Sequence, residues 1–577
     1  MVGGYEAWTQ EQLIARIHEL EQQTGQRDSS NNDVSATNIA PVAALDTPTS
    51  IPFRKPPKAP PKPFEPSKYN SRLIALKFAY LGQKYNGFEH HKNNSTPLPT
   101  IEEELWKALV KTRLIKPIPT TGDTIDYNKA DKKTFATWDR EGADVNWDGC
   151  EYSKCGRTDR GVSAFGQVIG VRVRSNRPLP KPPVKEPENQ DGSPVAEDSL
   201  DLPDSEPETP TKPFNDLTDE LPYIQLLNRI LPPDIRVYAW CPNPPENFSA
   251  RFSCKERRYK YFFTNPCFAP VPGSAGTYTT PNSSPMREGT LDIAAMQRAC
   301  DSLIGLHDFR NMCKIDASKQ LTNFTRRIYH ADIEEVSPLS VPTYLSHAAV
   351  APPEQPKMYA FVLHGSAFLW HQVRSIVAVL FLIGQRLETP DLVQQLLDVE
   401  TNPSRPKYEM ASDAPLVLWD CIFPHADEVQ SSEVREAGYQ DRLQWVYVGD
   451  EGGVETKSNT SSSLAGRGKW GRGGVVDDVW EVWRGKKVDE TLSALLLDKI
   501  AGLGRATLGQ EEVGGVGVAK GGPRVFDGGN VGRAKGAYVS VLKRERGETV
   551  EVVNERYAKR KGWGSGGFKG KKEDGDE

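Results

Sequence analysis

The sequence predicts an α+β fold, and two observations carry that reading. Between about residues 69 and 424, segments that alternate apolar and polar residues with period two are interleaved with segments of near-helical spacing, in two successive rounds. Several strand-like segments follow one another with no helix between them, which suits an α+β body better than a doubly wound parallel sheet. The 577 residues include 45 Pro and 48 Gly with a hydrophobic fraction of only 37%, so much of the chain is expected to stay outside any core.

The elements are justified in chain order. Thr9, with Gln12 three residues on and Leu13, Ile14, Ile17 and Leu20 behind it, reads as a capped amphipathic helix over residues 1–23. Residues 24–68 are rich in Asn, Ser and Pro and read as a linker. Folded sequence begins at "RLIALKFAYLGQKYNGF", where Ile74, Leu76, Phe78 and Tyr80 alternate with Leu73, Ala75, Lys77 and Ala79 as in a strand covered on both faces. Ile101 to Leu114 has helical spacing, and a polar insertion spans about 116–148. Ile169, Val171 and Val173 then share one face of a strand. From Lys181 to Glu220, acidic residues far outnumber basic ones among many Pro and Ser, a composition that does not fold by itself. "LPYIQLLNRILPPDIRVYAWCP" reads as helix, Pro-Pro break and strand, and "RFSCKERRYKYFF" as a further strand. A helix over Met296 to Ile304, strands over Arg327 to Glu334 and Met358 to Leu363, and a long apolar helix over Gln372 to Leu387 complete the body. After Pro424 the chain is Gly- and charge-rich, with a helical stretch at Thr491 to Ile500 and a basic end from Arg556 to Lys572.

Composition narrows the function classes. The eight cysteines stand at 150, 155, 241, 254, 267, 300, 313 and 421 without Cys-x-x-Cys pairs, so their spacing indicates neither a zinc site nor a disulfide framework. The first twenty residues carry Glu6, Glu11 and Glu19 and lack the pattern of a secretory or mitochondrial leader. The strongest apolar run, Ile376 to Ile383, is too short to span a bilayer, and no membrane partner is expected. A net charge of −5 looks wrong for a nucleic-acid binder, but the acidic 181–220 segment accounts for it, and the remainder is slightly basic.

Three constellations carry possible chemistry. In "KCGRTDRGVSAFG", Gly156 and Gly161 flank a turn that presents Asp159 between Arg157 and Arg160. A nearby cation holds such a carboxylate ionised, which makes it a nucleophile or a base; taken alone, the same pattern also fits a structural ion pair. "ARFSCKERRYKYFF" interleaves Arg251, Lys255, Arg257, Arg258 and Lys260 with Phe252, Tyr259 and Tyr261, a mixture of phosphate attraction and stacking surface. Tyr261 and Phe263 also read as plain core residues, with Tyr259 at the core's edge. In "GSAFLWHQVRSIVAVLFLIG", Arg374 falls in the first turn of an apolar helix, where the dipole disfavours a cation, so it calls for an anionic partner or for solvent. A phosphate or the Asp159 carboxylate would serve, and His371 just before it is a candidate RNA contact or a structural residue.

Together these stretches resemble the TruA-type tRNA pseudouridine synthases, and within them the eukaryotic branch that modifies positions 38 and 39 of the anticodon stem-loop. The resemblance covers most of Arg72 to Pro424 apart from insertions, with softer matches at "WTQEQLIARIHELE" and "VEVVNERYAKRKG". It implies two sheet-and-helix halves meeting at a central basic cleft. It places the catalytic aspartate at Asp159, its pairing arginine at Arg374, and the active-site tyrosine, stacked on a flipped uracil, at Tyr259. It puts Arg157 in the space left by the extruded nucleotide. The reaction needs no redox change, so no cofactor or metal is expected. A tRNA partner and a homodimer are implied, in the nucleus, the cytoplasm or both. A sibling synthase acting on other RNA positions, or a tRNA-binding protein with idle chemistry, remains open at this point.

Overall fold

The structure, a computed structural model, describes residues 65–563 except 92–96, 120–126, 128–129, 131, 180–212, 270–276, 279–284, 337–356, 451–467, 504–523 and 530–537. The expected N-terminal helix and nearly all of the linker lie outside the described residues.

Twelve strands are described: β1 (Asn70–Tyr80), β2 (Ser153–Lys154), β3 (Ser163–Ser175), β4 (Ile235–Cys241), β5 (Glu256–Asn265), β6 (Thr277–Tyr278), β7 (Met286–Arg287), β8 (Gly305–Asp308), β9 (Thr325–Val336), β10 (Lys357–Gly365), β11 (Leu416–Ile422) and β12 (Val446–Tyr447). Ten of them form one sheet in the order β12-β4-β1-β3-β11-β5-β10-β9-β8, with β2 paired to β3. The two expected halves therefore share a continuous sheet. Their joint is β11, which runs parallel to β3 (Leu418 opposite Ala164) and antiparallel to β5 (Leu418 opposite Tyr259).

Each half has its own core. On the first, Ile74, Leu76 and Phe78 of β1 and Ile169, Val171 and Val173 of β3 pack with helices α1 (Ile101–Lys111), α2 (Lys132–Glu141) and α3 (Tyr223–Asn228). Thr100 caps α1 by accepting from the Glu103 amide at 3.2 Å, ahead of three glutamates in the first turn. On the second, α4 (Ile293–Asp301), α5 (Gln372–Gly384) and α6 (Leu392–Leu397) cover β5, β9 and β10. Every residue of α5 is buried, as its all-round apolar sequence requires.

Several boundaries differ from the sequence reading. The 116–148 insertion is not purely polar: Trp138 of α2 packs on Trp106 at 5.0 Å, and Val145 joins the first core. The acidic segment ends inside the folded body, because Asp216 and Glu220 both pair with Arg72. Helix α5 stops at Gly384 rather than Leu387. After Pro424 the chain is more than an appendage. Tyr439 is buried, β12 extends the sheet, and Val525, Phe526, Val541 and Val550 pack on the second core. In this region lie helices α7 (Ala426–Gln430), α8 (Ser432–Ala437), α9 (Val475–Ala501) and α10 (Val550–Arg560), of which α9 replaces the shorter helix expected at Thr491 to Ile500. Among the described residues no helix is long and apolar enough to cross a membrane.

Candidate active site

The loop before β3 is held by the chain that follows β1. The Tyr80 hydroxyl meets Thr158 Oγ1 at 2.7 Å, the Phe88 amide donates to Thr158 O, and the Gly82 amide donates to Ser163 Oγ. Gly82 is required for this contact, since a Cβ there would lie 2.0 Å from Val162 O. At the other end, the buried Gln167 clamps Gly156, accepting from its amide and donating to its carbonyl, both at 3.0 Å. Gly161 completes the turn at φ 81°. Asp159 is thus presented on a fixed backbone with 28% of its side chain exposed.

Asp159 faces the N-terminus of α5. His371 Nε2 lies 3.3 Å from its Oδ2, and Arg374 Nη1 lies 3.5 Å from the same oxygen. His371 is the residue before the helix and Arg374 its third residue, so both sit on the end that the helix dipole makes favourable for an anion. Burial pushes the Asp159 carboxyl up, but the His371 hydrogen bond, the His371 and Arg374 charges and a Trp370 hydrogen bond outweigh it and hold the group below the usual aspartate range. Arg374 is in turn fixed by donating from Nε to Ala411 O at 2.8 Å. His371 adopts φ 60°, a left-handed conformation that non-glycine residues adopt at a cost of about 1–3 kcal/mol. The Trp370 ring lies tilted beside it at 4.7 Å, and Lys314 Nζ lies 4.1 Å over the Trp370 ring.

Tyr259 stands two strands away from the Asp159 loop, across β11. It packs against both cores and meets Phe368, in the loop leading to His371, edge-on at 5.0 Å. Along the same face of β5, Tyr261 and Phe263 are buried. Burial holds the Tyr259 phenol above its ordinary range, so it is neutral throughout the physiological pH range.

The remaining sequence candidates are placed differently. Arg157 is exposed and reaches Glu89, Nε to Oε1 at 3.3 Å. Of the five cations expected to attract phosphate, Arg257, Arg258 and Lys260 are held by groups of the protein. Arg257 donates to the carbonyls of Ser366, Cys155 and Arg251, Arg258 pairs with Glu256 at 2.7 Å, and Lys260 pairs with Glu334 at 2.8 Å. The strand's polar face binds its own neighbours. A cavity of about 470 Å³ opens beside the loop, lined by His90, Trp147, Lys154, Arg157, Arg251 and Phe252 among others, with Asp159 outside its lining.

The sequence reading had His371 as an RNA contact or a structural residue and did not connect it to the carboxylate. The available signal was its spacing from Arg374, which places both side chains at one helix end. Trp370 and Ala411 gave no such signal, because their roles depend on tertiary placement.

A fixed, ionised carboxylate at a helix N-terminus, held by His371 and Arg374, has the chemistry of a nucleophile or a general base. Residues 299–424 match the sequence model of a family described as tRNA pseudouridine synthase, a stretch that includes His371 and Arg374. The chain belongs to the tRNA pseudouridine synthase family. It is 37% identical over 423 residues to tRNA pseudouridine(38/39) synthase of Saccharomyces cerevisiae, covering 73% of this chain and 72% of the relative. It is 34% identical over 427 residues to the human protein of the same name, covering 74% of this chain and 69% of that one. It is 26% identical over 336 residues to tRNA pseudouridine synthase A of Methanothrix thermoacetophila, covering 58% and 78% respectively.

Proposed function

We propose that this chain converts uridine to pseudouridine at positions 38 and 39 of the tRNA anticodon stem-loop, with Asp159 as the reacting carboxylate. The observation that carries this reading is the Asp159 carboxylate held by His371 and Arg374 at the start of α5; the target positions rest on the names of the relatives.

The reaction breaks the bond between ribose C1′ and uracil N1, turns the base, and joins C1′ to C5. The C5 proton leaves and N1 regains one, so atoms balance with no redox change. Asp159 opens the reaction either as nucleophile at C1′ or as base at C2′. Either route needs the ionised form, which His371 and Arg374 favour. Tyr259 supplies a flat neutral face for the extruded base, and stacking of this kind is worth about 1–3 kcal/mol against the cost of unstacking. Arg157, exposed on the same loop, fills the gap in the RNA stem once its Glu89 pairing is released. The enzyme acts as a homodimer on tRNA, in the nucleus or cytoplasm.

The test is chemical mapping of pseudouridine in a tRNA transcript incubated with wild-type protein and with Asp159→Asn. Signal at 38 and 39 that disappears in the variant, at least about 10³-fold down with binding retained, is expected. Signal elsewhere would assign the chain to a sibling specificity. No signal with binding intact would leave a tRNA-binding protein.

A further inference from the structure

Cys155, Cys254 and Cys421 are far apart in sequence and come together beneath the catalytic loop. Cys155 begins that loop, and its amide donates to Val168 O at 2.9 Å. Cys254 stands just before β5, with its thiol 3.3 Å from Glu256 O. Cys421 lies on β11 directly opposite Arg257 of β5. All three are buried free thiols, and their sulfurs lie within 4.8 Å of one another. A zinc-class ion with metal–sulfur bonds of about 2.3 Å holds its sulfurs about 3.8–4.0 Å apart, so closure needs only small side-chain movements.

Three thiols packed as apolar filler would need no counter-charge, and here one is present. Arg257 donates to Cys155 O at 3.3 Å and to the carbonyls of Arg251 and Ser366 at 3.0 Å each. Among the described residues it makes no ion pair with a carboxylate. A guanidinium turned inward onto neutral carbonyls is costly without an anion nearby. Three thiolates and one divalent cation sum to a single negative charge, which one guanidinium cancels.

We propose that Cys155, Cys254 and Cys421 bind one thiophilic divalent cation of the zinc class, with Arg257 balancing the site's charge. The ion ties the catalytic loop to β11 and to the start of β5, the strand that carries Tyr259. Binding displaces three thiol protons to solvent, and no bond to carbon forms or breaks. The metal takes no part in the isomerisation.

The experiment uses untagged full-length protein, reduced, stripped with a chelator and titrated with Zn²⁺ and separately with Cd²⁺. About one equivalent should bind per chain, with a thiolate-to-cadmium charge-transfer band and a raised melting temperature. Cys254→Ser and Cys421→Ser should each weaken binding by about tenfold or more, whereas Cys300→Ser, which removes a thiol buried in the second core, should leave it unchanged. Absence of stoichiometric uptake by the wild-type chain overturns the proposal without recourse to any variant. Uptake unchanged in Cys254→Ser and Cys421→Ser overturns it as well. So does a disulfide within the trio in place of metal uptake.

Discussion

Arg374 and His371 both approach one oxygen of Asp159, Oδ2, at 3.5 and 3.3 Å. This arrangement resolves the apparent misplacement of a cation in the first turn of an apolar helix. Arg374 does not oppose the dipole alone, because the Asp159 carboxylate sits against the same turn and is attracted by both.

The acid limb of activity follows from this pairing. Burial raises the Asp159 pKa, and the His371 and Arg374 interactions reverse the shift to a net lowering. A carboxyl with a depressed folded pKa stabilises the fold above its unfolded value, near 3.9, and loses that contribution as pH falls through the folded value. Wild-type activity should therefore keep its ionised carboxylate down to a pH below the ordinary aspartate range. In Arg374→Ala the burial remains and one cation is gone, so the acid limb of kcat/KM should move to higher pH, with turnover at neutral pH down about 10–100-fold. A pH–rate profile of the two proteins checks this. An unshifted limb would remove Arg374 from the ionisation of Asp159.

The phenol of Tyr259 can be separated from its ring. Because burial keeps it neutral, the hydroxyl cannot serve as a free base, and the edge-on contact with Phe368 belongs to the ring. Tyr259→Phe should keep tRNA binding within about twofold and stability within about 1 kcal/mol, whereas Tyr259→Leu should lose base stacking and raise KM. Single-turnover kinetics with the two variants reads the difference. A Phe variant as impaired as the Leu variant would show that the hydroxyl, and not the face of the ring, is the working part.

Much of the fold was legible because its segments carry their own periodicity. The alternation in β1 and the all-round apolar α5 are local facts, and the glycines around Asp159 announce a turn. What was not legible depends on distant partners. Lys77 in the middle of β1 falls on a face read as covered, but its sequence names no partner for the charge, which is buried by pairing with Asp420 at 2.7 Å and Asp441 at 3.4 Å. The cations of β5 advertise an RNA surface, but Arg258 pairs with Glu256 on its own strand, and Lys260 pairs with Glu334, a neighbour that only the sheet order supplies. That Cys155, Cys254 and Cys421 meet was not legible either, because their cluster is assembled by separate strands and loops and not by local spacing.

The end of the acidic segment should prove structural. Glu220 is 4% exposed, accepts from Ser175 Oγ at 2.6 Å and pairs with Arg72 at 3.1 Å, while Asp216 pairs with Arg72 at 2.6 Å. Burial pushes both carboxyls up, and their hydrogen bonds and the arginine charges bring them below the usual range, so their contribution is present at neutral pH and fades on acidification through the folded values. Glu220→Ala leaves Arg72 short of a buried partner and should cost about 3 kcal/mol. Chemical denaturation at neutral pH measures it. A loss below about 0.5 kcal/mol would return this residue to the solvated loop that composition alone suggested.

The C-terminal region should reach the active site through one glycine. Gly528 has φ 85°, and its carbonyl accepts from Tyr261 Oη at 3.1 Å and from the Ser412 amide at 2.8 Å. A Cβ at this position would stand 2.7 Å from the Phe381 ring and 2.8 Å from the Ala411 side chain. Ala411 is the residue whose carbonyl fixes the Arg374 guanidinium. Gly528→Ala therefore combines a disfavoured backbone conformation with a push on the support of Arg374, and should destabilise the protein by about 1–3 kcal/mol. Its acid limb should move in the same direction as that of Arg374→Ala, by a smaller amount. Gly529→Ala is the control, since among the described residues a Cβ there meets only the Asp527 carboxylate, at 3.2 Å. Thermal melts and pH–rate profiles of both variants separate the two effects. A Gly528→Ala protein that melts lower with an unchanged pH profile would confine the C-terminal region to stability, whereas a displaced profile would make it part of the machinery that holds Asp159 ionised.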